Sequence, residues 1–311
     1  VTHSSAPLWT SRGDALRARF GERVQKLAVD AGFTCPNIDG TKARGGCAYC
    51  NNASFSPVAG LRGRLSITEQ LARGRDFALR RRPCRKFLAY FQPFTNTYAP
   101  LEVLARAYEE ALSFPGVVGL AIGTRPDCVP DTVLDLLESY VRRGAHVCLE
   151  LGLQTANDET QRRMNRAHGL AEFLDAVRRA AGRGIEICCH VILGLPGEGR
   201  EDARRTARAI APLPIDAVKM HHFYVSEGTR LAEEFRAGKV VPPEMDAYIE
   251  MAADFLERLP ERIAIERICA ECRPALLLAP KFPGGVTEAA RRLKAEFLRR
   301  GTRQGALVCA R

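Results

Sequence analysis

Apolar positions follow two different periods along this chain. Short apolar runs at residues 23–29, 86–91, 117–122, 146–151, 185–193 and 217–223 have the length and composition of buried strands. Between them, and once more after the sixth, apolar residues recur three and four apart. These stretches lie at about 68–80, 101–113, 131–143, 170–183, 201–211 and 244–258, and their period is that of an amphipathic helix. Six strand-then-helix units in series call for parallel strands with right-handed crossovers, hence an open twisted sheet or a barrel. A complete eight-unit barrel takes about 250 residues. Six visible units therefore predict an α/β fold of the incomplete (β/α)6 parallel-barrel type over residues 1–259. Residues 260–311 read as a short C-terminal extension, with apolar runs at 263–268 and 275–279 and a basic helix at about 287–300. The extension is expected to pack beside the barrel's open edge, where unpaired strand groups need cover.

In parallel α/β folds the reactive groups collect on loops at the C-terminal ends of the strands. The unusual polar residues here fall after the six runs in order: Cys35, then Gln92 with Thr95 and Asn96, then Thr124-Arg125, then Glu150 and Gln154, then His190, then Lys219, His221 and His222. Composition adds bounds. No apolar run approaches the roughly 20 residues that span a bilayer, and no charged-then-apolar leader is visible, so a soluble cytoplasmic protein without a membrane partner is expected. Forty-six Lys plus Arg against 36 Asp plus Glu give a formal charge of +10, which suits a polyanionic partner and equally suits solvated helix faces.

Eleven cysteines are too many for incidental use and odd in number, so buried thiols, a metal or redox chemistry are favoured over a disulfide framework. Cys148, Cys188 and Cys189 sit in strand runs and read as core. Cys35, Cys47 and Cys50 sit instead in a loop rich in Gly, Pro and Asn, as one thiol followed by a Cys-x-x-Cys pair. Three thiolates fit a 4Fe–4S cluster with one open iron, whereas a structural zinc wants four ligands and finds no fourth Cys or His nearby. A zinc loop or unrelated thiols are the alternatives.

With the cluster loop after the first strand, the chain resembles the radical S-adenosylmethionine (SAM) enzymes. More narrowly, Tyr90-Phe91-Gln92, residues 95–100, Gly123-Thr124-Arg125-Pro126-Asp127, Glu150-Leu151-Gly152-Leu153-Gln154-Thr155, Asn165-Arg166-Ala167-His168 and Gly194-Leu195-Pro196-Gly197-Glu198 resemble the YhcC/YtqA-type family. That family is related to the radical SAM domain of the Elongator catalytic subunit. The resemblance implies that Cys35, Cys47 and Cys50 hold the cluster, that its open iron chelates SAM, and that an electron from a flavodoxin or ferredoxin cleaves SAM to a 5′-deoxyadenosyl radical. It places Tyr49 near the adenine and Gln92 and Asn96 near the SAM amino group, where the acid of the family segment is missing. Glu150, Gln154 and Arg166 match the part that reads the ribose and the methionine carboxylate, and His190 a ribose contact. A structural ion pair is the alternative for Glu150 and Arg166, and hydrogen-bonded packing for His190, His221 and His222.

The relation to Elongator implies tRNA as the substrate, modified at a wobble uridine. A small molecule such as a porphyrinogen is the alternative within enzymes, and a non-catalytic iron–sulfur or zinc nucleic-acid-binding protein the alternative outside them. Arg80, Arg81 and Arg82, and the final helix with Arg291, Arg292, Lys294, Arg299 and Arg300 and then Arg303, are the stretches expected to track phosphates. A second Cys-x-x-Cys at Cys269 and Cys272, with Cys309 near the end, leaves an auxiliary metal site open.

Overall fold

The structure is a computed structural model that describes residues 7–61 and 64–308. Its strands, in chain order, are β1 (Val24–Val29), β2 (Lys86–Phe91), β3 (Val117–Thr124), β4 (His146–Gln154), β5 (Glu186–Leu193), β6 (Ala217–His222), β7 (Val225–Ser226), β8 (Ala264–Arg267) and β9 (Leu277–Ala279). Seven of them form one sheet in the order β1-β2-β3-β4-β5-β6-β8, and every pairing is parallel. This is the partial barrel that the six runs predict, enlarged by a seventh strand. The seventh comes from the apolar run read as part of the extension, so residue 259 is not a break in the sheet. The remaining two strands pair antiparallel as a small ribbon.

The inner strands β2, β3 and β4 bury both faces, as parallel sheets do, whereas edge strand β1 buries only Leu27 and Val29. The outward face supplies Leu27, Val29, Phe87, Phe91, Leu120, Ile122, Leu149, Leu151, Ile187, Val191, Val218 and Met220 to one continuous core. Helices close over it. Leu170–Ala180 buries Phe173, Ala176, Val177 and Ala180, the three-and-four spacing of one helix face. Ile67–Arg81 starts at a capping box in which Ser66 and Glu69 satisfy each other's backbone donors. At Gly119 a Cβ would sit 1.9 Å from the His146 carbonyl oxygen, so only glycine lets β3 lie this close to β4.

The sheet curls until side chains of its two edge strands reach each other. Lys26 on edge strand β1 is ion-paired with Glu266 on edge strand β8. The outer edge of β8 is covered by the N-terminal segment: Thr10 accepts from the Ile265 N–H at 2.7 Å and Ser11 bridges Ile265. The helix Arg12–Phe20 then carries the chain to β1 and plugs the lower end with Arg12, which is buried and paired with Glu186. The lumen above begins with small residues, Cys148, Cys188, Ala217 and Ala264. Cys189 faces the helices instead. Among the described residues, no helix is long and apolar enough to cross a membrane.

Candidate active site

A cavity of about 470 Å³ opens at the C-terminal ends of the strands. Cys35, Cys47 and Cys50 line it, together with Tyr49, Gln92, Glu150, Gln154, Arg166 and His190. Nine of the ten residues singled out from the sequence are thus brought to one space.

The cysteine loop is held by local turns and by one distant segment. Ile38 N donates to Cys35 O at 2.7 Å, Gly46 N to Asn37 O at 2.8 Å, and Cys50 N to Cys47 O at 2.9 Å, the last closing the Cys-x-x-Cys turn. Gly45 and Gly46 have φ of 80° and 72°, a conformation that costs glycine little. Asn165, itself at φ 55°, donates to the carbonyls of Arg44 and Gly46 at 2.9 and 2.8 Å. In return, Asn37 donates to the carbonyls of Asn165 and Arg166 at 2.6 and 3.1 Å. Beneath the loop, Ala48 packs with Met164, Leu195, Phe223 and Leu231.

Arg166 stands at the centre of the thiol wall. Its Nη1 lies 3.6 Å from Cys47 Sγ and donates to Tyr49 Oη at 3.0 Å, and its Nη2 donates to Gly152 O at 2.6 Å. His168 sits 2.9 Å away and faces Asp127, which Arg125 grips through two bonds of 2.9 Å. Burial, with Arg166 nearby, lowers His168 to about 4, so it is neutral. Burial also pushes Asp127 up, but His168, Arg125 and Lys42 outweigh it and hold the carboxyl well below its usual range.

The floor is a web of charge. Glu150 is ion-paired with Lys26 and, at 3.0 Å, with Lys219, and Lys219 donates to Tyr90 Oη at 2.9 Å. Burial works against the Glu150 carboxylate, yet Lys219 and Lys26 keep it well below the ordinary value. His190, whose ordinary value is lowered chiefly by burial, is neutral and donates from Nε2 to Glu150 Oε2 at 2.6 Å. Glu150 is thus spent on the protein's own cations, and its contact with a ribose is not free to form without breaking that web. Gln154 differs. It follows an irregularity in the β4–β5 register and has φ 74°, and its side chain makes no hydrogen bond among the described residues, so it is available to a ligand.

Asn96 does not reach the cavity. Its side chain is buried and donates to the carbonyls of Phe91, Pro93 and Gly123 at 2.8 to 3.0 Å, which braces the loop after β2 and leaves no donor for a cofactor. Gln92 does line the space and donates weakly to Phe55 O at 3.4 Å. Thr124 and Arg125, at the end of the third run, line the cavity too, and so do Tyr224 and Arg267, which sequence reasoning passes over; Arg267 lies in the strand read as extension. Cys269 and Cys272 line a separate cavity of about 490 Å³. Cys309 lies outside the described residues.

The donor set fits an iron–sulfur cluster. Burial, then Cys47 and Cys35, push the Cys50 thiol up to about 12; three crowded thiols of this kind are stabilised as thiolates by a cationic metal centre. Thr95 Oγ1, Arg125 Nη1, Arg166 Nε and Arg267 Nε are buried without a partner, and all four residues line the cavity; unmet polar atoms of this kind mark a ligand's place.

The model of the radical SAM superfamily matches residues 38–210, and that of the radical SAM C-terminal domain matches residues 215–297. The chain belongs to the radical SAM superfamily. This radical SAM chain is 42% identical over 268 residues to protein YhcC of Escherichia coli (strain K12), covering 86% of this chain and 85% of that protein. With YtqA of Bacillus subtilis (strain 168) it shares 37% over 290 residues, 93% and 89% of the two chains. The archaeal Elp3 of Methanocaldococcus infernus has the same fold, with a TM-score of 0.65 at 19% identity over 90% of this chain and 64% of that one. A more distant relative, the tRNA uridine(34) acetyltransferase of Dehalococcoides mccartyi (strain CBDB1), is 24% identical over 180 residues, 57% of this chain and 38% of that protein. The chain is therefore an enzyme of reductive SAM cleavage.

Proposed function

We propose that this radical SAM enzyme holds its 4Fe–4S cluster on Cys35, Cys47 and Cys50 and modifies tRNA at a wobble uridine. The observation that carries the first part is the convergence of the three thiols and Arg166 on one cavity at the strand ends. When bound, the cluster and SAM supply a 5′-deoxyadenosyl radical. The chain's own residues do the rest. Arg166 keeps a positive charge beside Cys47 and has an unpartnered Nε, and would pair the carboxylate of the methionine moiety when SAM is bound. Tyr49 is fixed by Arg166, and Gln154 offers an amide with both donor and acceptor free. Lys219, Tyr90 and Glu150 close the floor against water.

The tRNA part rests on the distant likeness to a tRNA uridine(34) acetyltransferase, on the fold shared with Elp3 and on the positive net charge. Anaerobically reconstituted protein is expected to bind about four irons and release 5′-deoxyadenosine. Replacing Cys35, Cys47 or Cys50 with Ala should abolish both, whereas Cys272→Ala should spare them. Nucleoside mass spectrometry of bulk tRNA from cells lacking the gene should show a missing or truncated wobble-uridine modification. Unchanged tRNA with an accumulating metabolite would transfer the activity to a small molecule.

A further inference from the structure

Two arginines of this cavity have no carboxylate partner among the described residues: Arg166 on the thiol wall and Arg267 above the lysine–glutamate web. Lys26 and Lys219 face Glu150 and Glu266, two cations against two carboxylates. Arg267, at the end of β8, lines the same cavity and has no acidic partner within ion-pair distance among the described residues. Its Nε is buried and unpartnered. Its Nη2 lies 2.8 Å from Nδ1 and 2.9 Å from Nε2 of His221. Nη2 is thus engaged with the His221 ring, whereas Nε and Nη1 have no partner among the described residues. Burial and Arg267 together hold His221 well below its ordinary value, so the ring adds no second charge and no counter-ion. Arg267 is half-buried, and a partly desolvated guanidinium with an open donor is stabilised by an anion that meets it.

Arg267 and Arg166 have different neighbours. Arg267 is in register with Lys219 of β6 and lies against His221, whereas Arg166 lies against Cys47 and Tyr49. Beyond Arg267, His222 and Phe55 form a wall shared with the cavity of about 490 Å³ that contains Cys269, Cys272, Glu271 and Arg273. A substrate anchored at Arg267 has room to continue there.

We propose that Arg267, with His221 against it, is the subsite for an anionic group of the substrate, a carboxylate or a phosphate, distinct from the place of SAM. The proposal rests on this cavity being the active site. Its guanidinium offers two N–H groups to two oxygens of one anion, the arrangement that makes Arg the usual partner of such groups.

The test uses the anaerobically reconstituted holoenzyme saturated with SAM, titrated with inorganic phosphate and separately with acetate in a calorimeter. Saturable binding of either ion is expected, weakened about tenfold or more in Arg267→Gln, partly restored in Arg267→Lys, and kept in Arg299→Gln on the remote C-terminal helix. Tighter phosphate than acetate assigns a nucleotide phosphate, and the reverse a carboxylic acid. Iron content and the cluster absorption band report that each variant is folded and loaded. No anion binding, equal binding in Arg267→Gln, or displacement of the anion by SAM overturns the subsite. Failure of the broader reading looks different, since the wild-type preparation would then release no 5′-deoxyadenosine.

Discussion

A Cβ at Gly152 would meet Gln154 Nε2 at 2.7 Å and Arg166 Nη2 at 3.1 Å, so this strand-end glycine gives the two candidate SAM-reading side chains their room. Gly152→Ala is expected to displace both and to weaken SAM binding about tenfold while leaving the cluster absorption intact, because no thiol moves. Equilibrium dialysis with SAM checks this, and unchanged affinity would detach the pair from the cofactor. Glu198, in the turn after β5, makes a second case. Burial raises it to about 7 from an ordinary 4.5, although Thr155 donates to it at 2.6 Å. The folded state then holds a proton that the unfolded one releases between those values, so stability falls as pH rises through that window, by up to about 3 kcal/mol. Glu198→Gln should therefore gain thermal stability over wild type progressively from pH 4.5 to pH 7 and by a constant amount above; a pH-independent difference in Tm would exclude a proton on Glu198. At this scale the sequence is an uneven guide. Cys35, Cys47 and Cys50 are legible from their spacing and their place after the first strand, and Gln154 stands at a strand end, whereas Arg166, between two helices, is reached only through the family resemblance. Asn96 stands at an equally suggestive position, yet its amide is consumed by three carbonyls, and nothing in the local sequence distinguishes a brace from a ligand.

The elements themselves are legible where two periods alternate, and less so where they stop. The first six parallel strands begin and end within a few residues of the apolar runs, because outward-facing residues such as Leu27, Phe91, Ile122 and Val191 must bury against helices. β8 escapes that logic. It has four residues and its free edge is covered by residues 10–11 from the other end of the chain, so no periodic partner stands beside it in sequence. Its lumen-facing Glu266 acquires meaning only when the curl brings Lys26 to it. Lys26→Met would leave Glu150 and Glu266 with Lys219 as their one shared lysine, and the loss in stability should be about 3–5 kcal/mol, the usual cost of breaking a buried pair from one side. In the double variant Lys26→Met with Glu266→Gln the charges balance again, and most of the loss should return. Urea unfolding of the two variants measures this; a double variant no more stable than the single one would mean that Lys26 acts by packing over Tyr90, where its ammonium lies 5.0 Å from the ring centre, and not by charge.

Across the whole molecule, the arginines are far less available than their number suggests. The C-terminal helix looks like a phosphate-tracking surface in sequence, but Arg291 and Arg292 pair with Glu288, Arg299 and Arg300 with Glu296, and Arg303 with Glu261. Arg300 also reaches Asp254 and Glu257, which ties the helix to Met245–Leu256. Arg80 and Arg81 lie over the exposed ring of Phe77 at the end of a helix that leads into the start of β2. That is the end of the barrel away from the cavity, the wrong place for a polyanion entering the active site. Near the cavity the picture differs. Arg44 is exposed beside Gly45, and Arg273 is exposed on the adjoining cavity, and neither has an acidic partner among the described residues. If tRNA is the substrate, these two carry the electrostatic part of its binding at the mouth. Log affinity for tRNA against log salt should then become shallower by about 0.7 to 0.9 for each of Arg44→Gln and Arg273→Gln. Arg299→Gln with Arg303→Gln should leave the slope unchanged, since a paired arginine releases no counterion when phosphate replaces carboxylate. Filter binding across a salt series separates the two sets, and the opposite ranking would place the nucleic acid on the C-terminal helix and away from the three thiols.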